Sequence, residues 1–160
     1  MVKIAEIEPW HVVLEPNAGT GRIVDAIRAA KPAHLDMIEI NPALCDALRA
    51  KYGLTYSECA PTDFLTTQAP ICPDSANGFD RILMNPPFKD GIDIAHIKHA
   101  LTLLASGGKL VAICAGGSRQ EKELHSLVEA CDGLWEKLPA GTFAEAGTNV
   151  ATVLLTITKE

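Results

Sequence analysis

Apolar residues along the chain fall into short continuous runs, separated by stretches where they recur every third or fourth position. Val12-Val13-Leu14 is the first run, closed by Glu15 and a glycine turn; behind it Ile23, Ile27 and Ala30 keep helical spacing. Leu35 to Ile40 is a second run. Asn41 then offers an N-cap with Pro42 at the first helical position, and Leu44, Ala47 and Leu48 line one face of the helix that follows. Gly53 ends that helix, and Leu54 to Tyr56 reads as a short third strand. From Cys59 to Phe79 the pattern is irregular and broken by Pro61, Pro70 and Pro73; a loop that long inside a compact domain is more often functional than idle.

Arg81 to Met84 is a fourth strand, stopped at Asn85-Pro86-Pro87 because proline has no N–H to give a sheet ladder. Ile94, Ile97, Leu101 and Leu104 form a helical stripe, which Gly107-Gly108 is expected to terminate before a fifth strand from Leu110 to Cys114. Ser118 with Glu121 three residues on predicts a capping box, opening a helix that turns Leu124, Leu127, Val128 and Cys131 inward. Leu134 to Leu138 and Val150 to Ile157 are the last two strands. With no helix between them they must run antiparallel. The expected architecture is therefore α/β and Rossmann-like: a seven-stranded, mostly parallel sheet, helices on both faces, and an antiparallel C-terminal hairpin.

Composition narrows the class. At 160 residues and 48% hydrophobic, the chain is expected to be a single domain, 1–160, around one core. No stretch approaches the ~20 consecutive apolar residues of a membrane span, and the start lacks a secretory signal, so no membrane association and a cytoplasmic location are expected. The five cysteines (Cys45, Cys59, Cys72, Cys114 and Cys131) are scattered without a CxxC pair, which argues for reduced structural thiols and against a zinc site or disulfide framework. A net charge of −6 argues against tight autonomous binding of duplex nucleic acid; only Arg119 with Lys122, and Lys89 with Lys98, make small basic groupings.

The candidate chemistry lies at the ends of the predicted strands. In Glu15-Pro16-Asn17-Ala18-Gly19-Thr20-Gly21 two glycines permit a sharp turn and close ligand approach at a helix start, where amide groups favour a carboxylate or phosphate. Dinucleotide binding needs a third glycine at position 24, which is Val24. Glu39 closes the second strand about 20 residues later, at the spacing of an acid that takes ribose hydroxyls; a solvated strand edge is the plainer alternative. Asp63-Phe64 offers a carboxylate for an adenine amino group and a ring to stack on it, or simply a helix-start acid and a core phenylalanine.

Asn85-Pro86-Pro87-Phe88 carries the strongest signal. Each proline fixes its own φ and drives the preceding residue out of the helical region, so Asn85 and Pro86 are held rigidly at the carboxyl edge of the sheet. From there the Asn85 side-chain oxygen and a backbone carbonyl of the proline pair can face one NH₂ group. Two acceptors on its hydrogens localise an otherwise delocalised nitrogen lone pair, an effect of positioning and fixed dipoles. Phe88 offers a face for a planar acceptor, a contact worth ~1–3 kcal/mol per base. A strand-ending turn is the bland alternative.

Together with Gly107-Gly108, these features resemble the class I S-adenosylmethionine-dependent methyltransferases over nearly the whole chain, from about Val12 to Ile157. The resemblance implies that Glu15, Asn17, Gly19 and Gly21 wrap the methionine part of S-adenosyl-L-methionine, that Glu39 holds its ribose and that Asp63 and Phe64 meet its adenine. The NPPF tetrapeptide is similar to the signature of amino methyltransferases acting on adenine N6, guanine N2 or protein glutamine. Phe88, where the glutamine enzymes generally have tyrosine, leans to a nucleobase, and Lys89-Asp90-Gly91 resembles the guanine enzymes. The whole chain looks most like small phage- and plasmid-borne proteins of adenine-methylase type.

What that implies is methylation of a nucleobase amino group, adenine N6 first, in DNA or RNA. A protein glutamine or small-molecule amine as acceptor, and a cofactor-binding subunit without turnover, stay open. The adenine enzymes usually carry a segment that closes over the cofactor and a target-recognition domain, and neither is seen here. Nucleic acid as substrate with a partner subunit or a dimer is therefore expected. His96 and His99 are expected on a solvated helix face with no metal role, Trp10 and Trp135 as packing aromatics near sheet ends, and Thr142 to Asn149 as a lid.

Overall fold

The computed structural model describes residues 1–68, 71, 73–142 and 150–160. A short α1 (Val2–Ala5) precedes β1 (Val12–Glu15), α2 (Arg22–Ala29), β2 (His34–Met37) and α3 (Pro42–Tyr52). After the long loop come β3 (Phe79–Met84), α4 (Ile92–Leu103), β4 (Leu104–Ala115), α5 (Ser118–Ala130), β5 (Trp135–Lys137) and β6 (Thr152–Thr158). The strands form one sheet in the order β2-β1-β3-β4-β6-β5. β1 pairs in parallel with β2 and β3, and β3 with β4, whereas β6 runs antiparallel to both β4 and β5. The C-terminal hairpin is thus present, with β6 inserted between β4 and β5.

Alternation along the strands divides the core. Ile82, Met84, Leu110 and Ala112 join Ile94, Ile97, Leu124 and Val128 on the face covered by α4 and α5. Leu83, Val111, Ile113 and Leu154 point the other way, onto Ala5 of α1 and Ile27 of α2. Helices therefore cover both faces, as the alternating pattern required.

Among the described residues the sheet has six strands, not seven. Leu54 to Tyr56 forms a hydrogen-bonded turn: the Leu54 amide still donates to Arg49 O, and the Thr55 amide and hydroxyl donate to Glu58 Oε2. β2 stops at Met37 because the next residues turn to the glycine loop, where Ile38 N donates to Glu15 O (3.0 Å) and Ile38 O accepts from Ala18 N (2.9 Å). Leu104 opens β4 and does not close α4, pairing with Phe79. Gly107-Gly108 lies inside that strand, where a Cβ on Gly108 would stand 2.7 Å from Phe79 O. Ser118 is the first residue of α5 behind the N-cap Gly117, so no capping box forms. Asn41 caps α3 as read, accepting from Ala43 N at 2.9 Å.

Trp135 packs against the core edge, but Trp10 is 69% exposed and is no packing residue. Cys45, Cys59 and Cys114 are buried free thiols and Cys131 is partly buried. Cys72 and residues 143–149 of the expected lid lie outside the described residues. No described helix is long and apolar enough to cross a membrane.

Strand order fixes where a ligand can go. From β1 the chain moves to β2 on one side, then crosses back to β3 on the other. A crevice opens at such a switch point, outside the carboxyl ends of the two central strands. Leu14 pairs with Ile82, so the glycine turn after Glu15 and the Asn85 segment after Met84 emerge side by side.

Candidate active site

Glu15 ends β1 almost wholly buried. Its Oε1 accepts the Asn17 amide at 3.0 Å; its Oε2 is buried with no partner. Burial pushes this carboxyl up to about 8, helped by the nearby charge of Glu39 and opposed by the Asn17 N–H. In Glu39 both carboxylate oxygens have partners. Its Oε2 accepts Gly19 N at 2.7 Å and its Oε1 accepts Asn41 N at 2.8 Å, so one carboxylate clips the glycine turn to the start of α3. Gly19 has φ +54° and open space where a Cβ would point. At Gly21 (φ +82°) a Cβ would meet Tyr52 Oη at 2.4 Å, and that hydroxyl donates to Gly21 O at 3.0 Å. Gly21 is thus held by packing of Tyr52 over the start of α2.

Two cavities open at the switch point. One, of about 610 Å³, runs between the glycine turn, Glu39-Ile40, the Thr62–Leu65 stretch of the long loop and the first turns of α4. The other, of about 620 Å³, lies between Glu15, Thr20, Arg22 and Ile113. Asn17, Gly19 and Asn85 border both. Asn85 Oδ1 is buried and accepts from nothing. A buried acceptor without a donor costs roughly 1–3 kcal/mol, a cost that Asn85 carries at the border of the two cavities.

Residues 6–138 match the family model described as methyltransferase small domain. The chain belongs to that family. This methyltransferase domain, of the S-adenosylmethionine-dependent class read from its motifs, matches no curated protein sequence. It does share its fold with solved methyltransferase structures. The 23S rRNA methyltransferase ErmE superposes with a TM-score of 0.73 at 19% identity, over 99% of this chain and 65% of that one. A type I restriction-modification system methyltransferase subunit from Streptococcus thermophilus gives 0.73 at 18% identity, over 100% and 43%. A dimethyladenosine transferase from Plasmodium falciparum gives 0.73 at 18%, over 99% and 59%. The methyltransferase domain therefore spans less than two thirds of each of these three.

Most residues singled out from the sequence converge on the cavities. Asn17, Gly19, Glu39, Asp63, Phe64, Asn85 and Pro87 border the first, and Glu15 the second. Asp63 caps a 3₁₀ turn through Oδ1, which accepts Leu65 N at 3.0 Å. Phe64 is a core ring that also shows one side to the cavity. Gly21, Pro86 and Phe88 border neither cavity; Phe88 is half-buried against the Leu83 and Val111 cluster on the α1–α2 side of the sheet.

The histidine expectation is corrected. His96 is 7% exposed and borders the first cavity, with Asn17 Nδ2 donating to its Nδ1 at 3.1 Å. His99 is half-buried, its Nε2 2.9 Å from Thr67 O. The 100° wheel does set both off the Ile94/Ile97 stripe, but Phe64 of the long loop folds over that second face, 5.4 Å from the His96 ring and 4.8 Å from His99. Among the described residues no group of His, Cys, Asp and Glu could hold a metal ion. Sequence reading also missed Ile40, 62% exposed, and Leu65, two apolar cavity walls. The available signal was that each directly follows a candidate site residue, Glu39 or Phe64.

Proposed function

We propose that this methyltransferase domain transfers the methyl group of S-adenosyl-L-methionine to the exocyclic amino group of a nucleobase, adenine N6 being the acceptor, in DNA or RNA. The observation that carries this reading is the buried, unpartnered Asn85 Oδ1 at the wall common to two cavities. An amino group supplies the donor that this oxygen lacks. Pro86 and Pro87 stiffen the segment, so the Asn85 dipole is oriented before the acceptor arrives. A backbone carbonyl of the proline pair takes the second hydrogen, while Phe88, packed against the Leu83 and Val111 cluster, anchors the segment from the other side.

The residues present fit the cofactor. The first cavity joins apolar walls at Ile40 and Leu65 to the carboxylates of Glu39 and Asp63, which suits an adenosine. Asn17, Gly19 and the free oxygen of Glu15 face the junction toward the second cavity, which suits the amino-acid tail. Bound there, S-adenosylmethionine supplies an electrophilic methyl on a cationic sulfur. The chain's own part is to bind, to orient and to receive two N–H bonds at fixed acceptors.

A nucleic-acid acceptor agrees with the activities for which the 23S rRNA methyltransferase and the dimethyladenosine transferase are named. With a net charge of −6, duplex binding and the few kcal/mol of base flipping are drawn from a partner subunit or a dimer in the cytoplasm. The test is incubation with methyl-labelled cofactor and separate pools of DNA, RNA and protein, followed by nucleoside mass spectrometry. N6-methyladenine in a nucleic-acid pool is expected; label found in protein alone rejects the reading.

A further inference from the structure

His96 has no place in the chemistry above, yet it is among the few buried polar side chains and it stands on the wall of the first cavity. Both ends of the Asn17 amide lie within reach of its Nδ1: Nδ2 at 3.1 Å and Oδ1 at 3.5 Å. A neutral imidazole with its proton on Nε2 presents a lone pair at Nδ1, accepts from Asn17 Nδ2, and leaves Asn17 Oδ1 to the ligand. An imidazolium donates at Nδ1 and needs an oxygen opposite. The amide must then rotate by half a turn, and Nδ2 faces the ligand in its place.

We infer that His96 is a positioning residue that sets which end of the Asn17 amide faces the junction of the two cavities, and so tunes affinity for a cationic ligand there. This rests on the cofactor reading above, because S-adenosylmethionine brings a sulfonium and an ammonium, both of which favour an oxygen and disfavour an N–H. Phe64 from the loop and the flanking turns of α4 keep the ring out of bulk water. The charged and titratable groups facing it are Asp63 from the loop, His99 one turn along α4 and Asp93 in its first turn. Burial holds the ring below the usual histidine value, with His99 acting the same way and the two aspartates opposing. The neutral state, with Asn17 Oδ1 outward, is therefore the working one at neutral pH.

The test is calorimetric binding of S-adenosylmethionine between pH 7.5 and 5 to the wild-type chain, His96→Ala and His96→Asn, with thermal melts as a folding control. Wild type is expected to lose affinity progressively toward pH 5 as the imidazole protonates. His96→Ala binds weakly at every pH. His96→Asn, whose side-chain oxygen replaces the Nδ1 lone pair, binds nearly as wild type does at pH 7.5 and keeps that affinity at pH 5. Wild-type affinity and pH profile in His96→Ala, or a folded His96→Asn that neither restores binding nor flattens the profile, overturns the inference and leaves the methyltransferase reading standing. A wild-type chain that binds no S-adenosylmethionine at pH 7.5 overturns both.

Discussion

Two polar segments meet at the rim of the sheet and are built on opposite principles. Around Glu39 every carboxylate oxygen is engaged: Gly19 N and Asn41 N donate to it at 2.7 and 2.8 Å, and the cavity borrows a side chain already fixed by the backbone. Around Asn85 the side-chain oxygen is buried and faces no donor, while two prolines in succession hold the backbone. The first segment is a frame whose hydrogen bonds the folded chain satisfies by itself. The second is left unsatisfied by the chain itself, and the proposed function assigns that open acceptor to the incoming amino group.

The comparison breaks most clearly at Asn85. Asn85→Ala is expected to lower the methyl-transfer rate ~10²–10³-fold, the usual effect of removing one preorganised dipole. Cofactor affinity measured by calorimetry should stay nearly unchanged. Glu39→Ala should do the reverse. Two charge-assisted hydrogen bonds disappear, unfolding in urea should show a loss of roughly 3 kcal/mol, and cofactor affinity should fall with the frame.

Gly21→Ala comes next. Its positive φ and the clash an added Cβ would make with the Tyr52 hydroxyl predict a cost of order 1–3 kcal/mol, and in a Tyr52→Ala background that cost should shrink to the backbone part. The last effect is a slope, small per pH unit. Folding raises the Glu15 carboxyl to about 8, so between the ordinary carboxylate range and pH 8 the folded state holds a proton that the unfolded state has released. Stability then falls as pH rises through that window, by at most about 1.4 kcal/mol per pH unit. Glu15→Gln should flatten the decline, as read from urea midpoints at a series of pH values.

The frame was more legible in the sequence than its details, for physical reasons. Val13–Leu14, Ile82–Met84 and Leu110–Cys114 are buried on both faces, and a continuous apolar run admits few readings when helices alternate with it. The Asn85 segment was legible because proline acts locally. What failed depended on partners distant in the chain. His96 looked solvated until Phe64, 32 residues earlier, folded over it. Leu54 to Tyr56 has strand-like residues but takes its hydrogen bonds from Arg49 and Glu58. Gly107-Gly108 looked like a helix stop, whereas the close approach of Phe79 O calls for a glycine within a strand. Gly21 carried a ligand role by analogy of pattern, although Tyr52, on another helix, explains why no side chain fits there.

The central claim is that Asn85 contributes a hydrogen-bond acceptor to the reacting amine. Single-turnover methyl transfer with saturating cofactor, compared between Asn85→Asp and Asn85→Ala, tests it most directly. Aspartate keeps an acceptor oxygen where alanine keeps none, so the aspartate variant should react at least ~10-fold faster than the alanine variant. Equal rates in the two variants, or an alanine variant as fast as wild type, would contradict the claim.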